Sequence, residues 1–267
     1  MPRRKPLTPW EKEWNRLIVR EERFLDRKPP NTAKMLNQKL EKHIPEKLQA
    51  TLDAAFYKAF QLIFTKGTGI IEKTYDKEKR SVEYKIKSYA ADLKGSRRSL
   101  SAFRKKSGAL KAANLAVSAV EGIGLGVLGI GLPDIPLFTG MILKSIYEIA
   151  VNYGFPYETE EEQIFLLQVI ETAVSKGELQ RKKDAELNRW CQANEPSAID
   201  RQSQIKNTAK ALSGELLYMK FLQGIPVAGA IGGLSDVQCL KTITDYANLK
   251  YQRRFLLKKK RDGENNR

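Results

Sequence analysis

Residues 44–69 read IPEKLQATLDAAFYKAFQLIFTKGTG, and their spacing decides the fold class. Ile44, Leu48, Leu52, Phe56, Phe60 and Ile63 recur every three or four positions, which is the period of one helix face and not that of a strand. Gly67-Thr-Gly69 then breaks the pattern. The stretch predicts an amphipathic helix with one face committed to a core.

The same period governs the chain on either side. Upstream, Thr8-Pro9-Trp10-Glu11 places a hydroxyl at an N-cap, proline at the first helical position and glutamate three after the cap, a capping box. Trp10, Trp14, Leu17, Ile18 and Leu25 follow near one face until Pro29-Pro30 closes the segment. Downstream, residues from about Lys77 to Leu93 read as a solvated helix, with Lys94-Gly-Ser-Arg-Arg98 as a turn. Asp134 is expected to cap a helix that runs through Phe138, Met141, Ile142, Ile146, Ile149 and Ala150 to a left-handed stop at Gly154. Thr159-Glu-Glu-Glu162 predicts a second capping box. Residues 178–193 and 197–223 continue helically, and a last helix from about Ser235 to Leu257 ends in Lys258-Lys-Lys-Arg261. The chain therefore reads as all-α.

Two stretches stand apart. Leu115 to Leu132 holds nine Leu, Ile or Val residues, glycine at 122, 124, 126, 129 and 131, and Glu121 as its one charge. Gly224-Ile-Pro226 leads into the small residues Val227 to Gly233. We expect these to form two glycine-broken apolar helical hairpins at the centre of a single multi-helix domain. The first has the minimum length for a membrane span, but a central glutamate costs about 2.5–3.5 kcal/mol on insertion, and the glycines and Pro133-Asp134 erode the remainder. A buried or re-entrant hairpin is the expectation.

Charge and composition bound the function. The formal net charge is +16 over 267 residues, carried by the amino-terminal half and the carboxy-terminal end around an acidic middle. Such a polarised surface suits an anionic membrane or, less well, nucleic acid. The clusters Arg97-Arg98, Arg104-Lys-Lys106 and Lys258 to Arg261 come with no zinc finger, aromatic RNA-reading motif or helix-turn-helix, so nucleic acid is the weaker partner. Cys191 and Cys239 are too few for a disulfide scaffold, and the opening residues lack the apolar core of a secretory signal. Both features lead us to expect a cytoplasmic protein, peripheral at the membrane.

The candidate chemistry is thin. Gly124-Leu-Gly126-Val-Leu-Gly129 matches the dinucleotide pattern, but it follows Ala-rich, helix-like sequence instead of a strand, so no cofactor is expected. His43, the single histidine, has no metal-ligand spacing around it, and no metal site is expected. Glu121, Asp134 and Asp236 lie among apolar or small residues, where burial raises a carboxyl pKa. They mark a rival reading as a carboxylate enzyme, against plainer roles as helix caps for Asp134 and Asp236 and a buried ion pair for Glu121.

Leu132-Pro-Asp-Ile-Pro-Leu137, Ile146-Tyr-Glu-Ile-Ala150, Asn152-Tyr-Gly154, Glu160–Glu162, Phe165-Leu-Leu167, Gly224-Ile-Pro226, Gly229-Ala-Ile-Gly-Gly233 and Tyr251-Gln-Arg-Arg-Phe255 together resemble the EcsC protein family. One departure is Asp236, where that pattern leads us to expect asparagine. The resemblance implies a helical protein of bacterial type, associated with an ABC-transporter operon linked to secretion, and it transfers no catalytic residue. It suggests a basic helical extension over 1–44, an EcsC-like domain over 45–257 and a basic disordered tail over 258–267. The functional expectation is a regulatory protein more plausibly without than with enzymatic activity. Anionic lipid would be met by Arg253, Arg254, Lys258, Lys259, Lys260 and Arg261, helped by apolar contact through Leu125, Val127 and Leu128.

Overall fold

The computed structural model describes residues 6–27, 46–66, 84, 134–193, 196–222 and 234–265. They form seven helices and no strand, which we label α1 (Pro9–Leu25), α2 (Glu46–Lys66), α3 (Asp134–Asn152), α4 (Glu160–Val174), α5 (Gly177–Ala193), α6 (Arg201–Leu222) and α7 (Leu234–Asn265). The protein is an all-α single domain. The two expected glycine-broken hairpins, and with them Glu121, Leu125, Val127 and Leu128, lie outside the described residues.

The apolar faces meet as their period requires. Leu52, Phe56 and Phe60 of α2 are buried against α3 and α6, with the Phe56 and Phe138 rings edge-on at 6.5 Å. The centre is filled by Ile142, Ile146, Tyr147, Phe165, Ile170, Leu212, Ile243 and Tyr251, all fully enclosed. Tyr147 and Tyr157 stack at 4.1 Å. The long helix α7 runs through this core and touches α1, α3, α4, α5 and α6.

Both threonine caps form, but the second capping box stays open and neither Asp134 nor Asp236 stands at an N-cap position. The Thr8–Glu11 capping box forms in both directions. At α4 the Thr159 hydroxyl accepts from the Glu162 amide at 3.2 Å, but the Glu162 carboxylate is engaged inside the protein instead of closing the second box. Asp134 is the first residue of α3 itself, and Asp236 lies in the first turn of α7.

Two expected boundaries differ. The amino-terminal segment is no separate extension, because α1 buries Leu17 and Phe24 in the common core. The expected disordered tail is helical through Asn265.

Gly154 ends α3 at φ +79°, the left-handed region. A Cβ there would also collide with the Tyr84 ring. Gly154→Ala is therefore expected to cost at least about 1–2 kcal/mol from the backbone alone, before the Tyr84 ring is displaced. Urea unfolding of the variant checks this, and stability equal to that of the parent would overturn it.

Candidate functional site

Helix α7 carries a run of charge through the core. Lys250 is fully enclosed, and its three ammonium protons have three acceptors: Asp184 Oδ1 at 2.6 Å, Asn188 Oδ1 at 2.8 Å and Glu21 Oε1 at 2.9 Å. Glu21 comes from α1, Asp184 and Asn188 from α5. Arg253, one turn along, donates from Nε to Glu21 Oε1 at 3.0 Å and from Nη2 to Glu21 Oε2, while the Trp14 ring lies over its guanidinium. Asp184 also accepts from the Tyr246 hydroxyl at 2.6 Å and from Asn188 Nδ2 at 2.8 Å. Two carboxylates thus neutralise two cations.

A second pair lies on another face of α7. One nitrogen of Arg254, Nη1, donates to both oxygens of Glu162 at 2.7 and 2.8 Å, and the Tyr251 hydroxyl adds a bond to Oε1 at 2.7 Å. The guanidinium is held between Phe155 and Phe165, 4.2 Å from each ring centroid. The sequence run Tyr251-Gln-Arg-Arg-Phe255 is now explained residue by residue. Gln252 accepts from Arg20 at 2.8 Å, and Phe255 packs on Tyr153.

The electrostatics describe a locked site. Burial, then the Asp184 carboxylate, pushes the Tyr246 phenol well above its ordinary range, and burial with Glu162 does the same to Tyr251. Both remain hydrogen-bond donors at any physiological pH. Burial alone would favour neutral arginines, yet the hydrogen bonds and charge of Glu21 and Glu162 outweigh it and raise both Arg253 and Arg254. Buried Cys191 is pushed up to about 11 and stays a thiol. Removing one partner of an ion pair in a dry interior leaves an uncompensated charge, so each pair holds its helices together. The network acts as a clamp joining α1, α4 and α5 to α7.

This placement corrects part of the sequence reading. Arg253 and Arg254 face inward onto carboxylates, so they do not meet lipid in this fold. Lys258 and Lys259 are half-buried beside Phe155 and Phe255, whereas Lys260 and Arg261 are exposed. Sequence reasoning also missed Glu21, Asp184 and Lys250, and it gave Glu162 a capping role in place of its ion pair. A signal existed for Lys250, which continues the Ile243, Tyr246 and Ala247 face, and for Glu21, which stands between Leu17 and Phe24.

Outside the clamp, α1 presents cations to solvent. Lys12, Arg16 and Arg23 are exposed and Arg20 half-exposed, all four on one side of the helix, and Arg27 is exposed just beyond its end. Helix α1 packs antiparallel to α7, with Trp10 Nε1 donating to the Leu256 carbonyl at 2.8 Å, Arg20 reaching Gln252, and Arg27 reaching Asp245 at 3.5 Å. Lys260 lies 5.4 Å over the Trp10 ring. The basic beginning and basic end of the chain are thereby brought together. No described helix is long and apolar enough to cross a membrane.

The sequence profile described as the EcsC protein family matches residues 11–256. A relative from Bacillus subtilis (strain 168), Protein EcsC, is 24% identical over 247 residues, covering 91% of this chain and 92% of its own length. Uncharacterized protein YdbA of the same organism is 26% identical over 160 residues, 55% of this chain and 56% of its own. No solved structure matches.

Proposed function

Because the chain belongs to the EcsC protein family, we propose that it acts at a membrane surface as a regulatory protein, associated with an ABC transporter or secretion, and not as an enzyme. One observation supports the membrane part of this reading: the antiparallel packing of α1 on α7 sets Lys260 over Trp10 and so brings the basic end of α7 beside the start of the cation-bearing helix α1. Each cation held near an anionic bilayer contributes about 1 kcal/mol before screening, so Lys258, Lys259, Lys260 and Arg261 offer roughly 4 kcal/mol and the α1 set a comparable amount. Charge at that level gives reversible attachment, and stable attachment needs a second signal. In this proposal the apolar contact comes from the segment around Leu125, Val127 and Leu128.

Co-sedimentation with vesicles tests it. The protein should bind anionic vesicles and not neutral ones, the binding should weaken with salt, and replacing Lys258, Lys259, Lys260 and Arg261 by glutamine should reduce it by roughly tenfold or more. Alkaline carbonate should release the protein from membranes. Equal recovery on neutral and anionic vesicles, binding to neither, or carbonate-resistant retention would sink the proposal.

A further inference from the structure

We propose that the cleft between α4, α5 and the start of α6 binds a small primary ammonium compound, with the side-chain oxygen of Gln204 and the Glu186 carboxylate as its acceptors. Neither group enters the membrane reading, and the site stands independently of it. Gln204 is 1% exposed, and both hydrogens of its side-chain amide are engaged, one by Glu171 Oε2 at 2.7 Å and the other by Thr208 Oγ1 at 3.2 Å. The Thr208 hydroxyl donates in turn to the Leu167 carbonyl at 3.1 Å, which leaves it an acceptor toward Gln204. These partners fix the amide, because a flip would set its oxygen against a carboxylate. The amide oxygen accepts no hydrogen bond among the described residues, and since it is not sealed in the interior it is reached from the cleft that Gln204 lines. An oxygen held this way calls for a donor.

The ionic groups around it point to the charge of that donor. Glu171 is buried and pairs with Lys183 at 2.7 Å, so the ammonium of the lining is already committed to a carboxylate. Glu186, exposed at the rim, forms no ion pair or hydrogen bond through its side chain among the described residues, although Lys183 stands one turn before it on α5. The lining therefore holds two carboxylates against one ammonium, and one of the carboxylates is without a partner. Gln168 and Asn207 add side-chain amides with neither end engaged among the described residues, free to turn an oxygen toward a ligand.

This arrangement selects among ligand classes. An anion would be set against Glu171, Glu186 and a fixed amide oxygen, a costly juxtaposition. A metal ion would lack ligands, as no group of three or more His, Cys, Asp or Glu side chains is placed to hold one among the described residues. A quaternary ammonium is recognised by aromatic faces, and no ring is among the lining residues described. A primary ammonium carries three N–H donors and a positive charge, which match the fixed oxygen, the unpaired carboxylate and one amide. The volume, about 240 Å³, is below that of a drug-sized pocket and suits a compound of a few heavy atoms with its carbons against Ile199. Such an ammonium belongs either to a simple amine or to an amino acid.

Calorimetric titration of the full chain with four small probes tests the site. Ethanolamine reads the simple amine, and L-serine, the same frame with a carboxylate added, reads the amino acid. Ethylene glycol puts a hydroxyl in place of the ammonium, and choline keeps the charge without N–H donors. Saturable binding of ethanolamine or L-serine, at least about tenfold tighter than that of ethylene glycol and choline, is expected, and the tighter of the two names the source. Glu186→Gln changes an exposed side chain with no bond to lose, and it should weaken binding by about tenfold or more. Glu178→Gln removes an exposed carboxylate of α5 outside the cleft and should leave binding intact. Gln204→Met should lose binding as well, with thermal unfolding showing whether that variant is folded; if it is not, Glu186→Gln decides. No saturable binding of either ammonium probe, equal binding of ethylene glycol or choline, or a Glu186→Gln variant no weaker than Glu178→Gln overturns the site. Full affinity in a folded Gln204→Met overturns it too.

Discussion

Lys250→Met is expected to destabilise the fold by about 3–5 kcal/mol, seen as a lower midpoint in urea with an unchanged slope. The side chain is fully enclosed, and the substitution removes one cation from a group of two cations and two carboxylates. Asp184 would keep only the Tyr246 hydroxyl and Asn188, neither of which carries charge. A carboxylate left in that position has lost its counter-ion in a dry interior, and this residue of buried charge, more than the lost bonds, sets the size of the effect. The double variant Lys250→Met/Asp184→Asn restores neutrality, since Glu21 and Arg253 remain paired. It should recover more than half of the loss although it carries one more substitution. A single variant within about 1 kcal/mol of the parent would show that water enters the site and that the clamp is dispensable.

The structure explains why the fold was legible and this clamp was not. Leu52, Phe56 and Phe60 announce a buried helix face because every residue in the stripe is apolar, and Thr8, Thr159 and Gly154 mark ends by local geometry alone. Glu21 and Lys250 sit on equally regular inward faces but carry charge, and a reading that assigns charge to the surface turns them outward. Their burial depends on each other and on Asp184, which enter from three helices. Period can place a residue on a face but cannot find a partner more than 200 positions away. The same limit misplaced Arg253 and Arg254, where a count of cations near the chain's end read as a surface patch. It also broke the second capping box, because Glu162 has the right spacing to close it and a stronger partner elsewhere in Arg254.

Arg254 separates charge from shape in that partnership. Arg254→Met would leave Glu162 buried with only the Tyr251 hydroxyl among its present side-chain donors, and a loss of about 3–5 kcal/mol is expected. Arg254→Lys is the more informative change. Because a single guanidinium nitrogen serves both carboxylate oxygens, an ammonium can in principle replace that contact, at 2.7 and 2.8 Å, without the fork. What lysine cannot supply is a flat cation between Phe155 and Phe165, each 4.2 Å from the guanidinium carbon. That packing should make the lysine variant weaker than the parent by about 1–2 kcal/mol while leaving it clearly more stable than the methionine variant. Urea unfolding of the three proteins gives the order directly. Lysine as stable as arginine would mean that the aromatic walls contribute nothing beyond enclosure, and lysine as damaging as methionine would mean that the planar group, not the ion pair, holds α4 to α7.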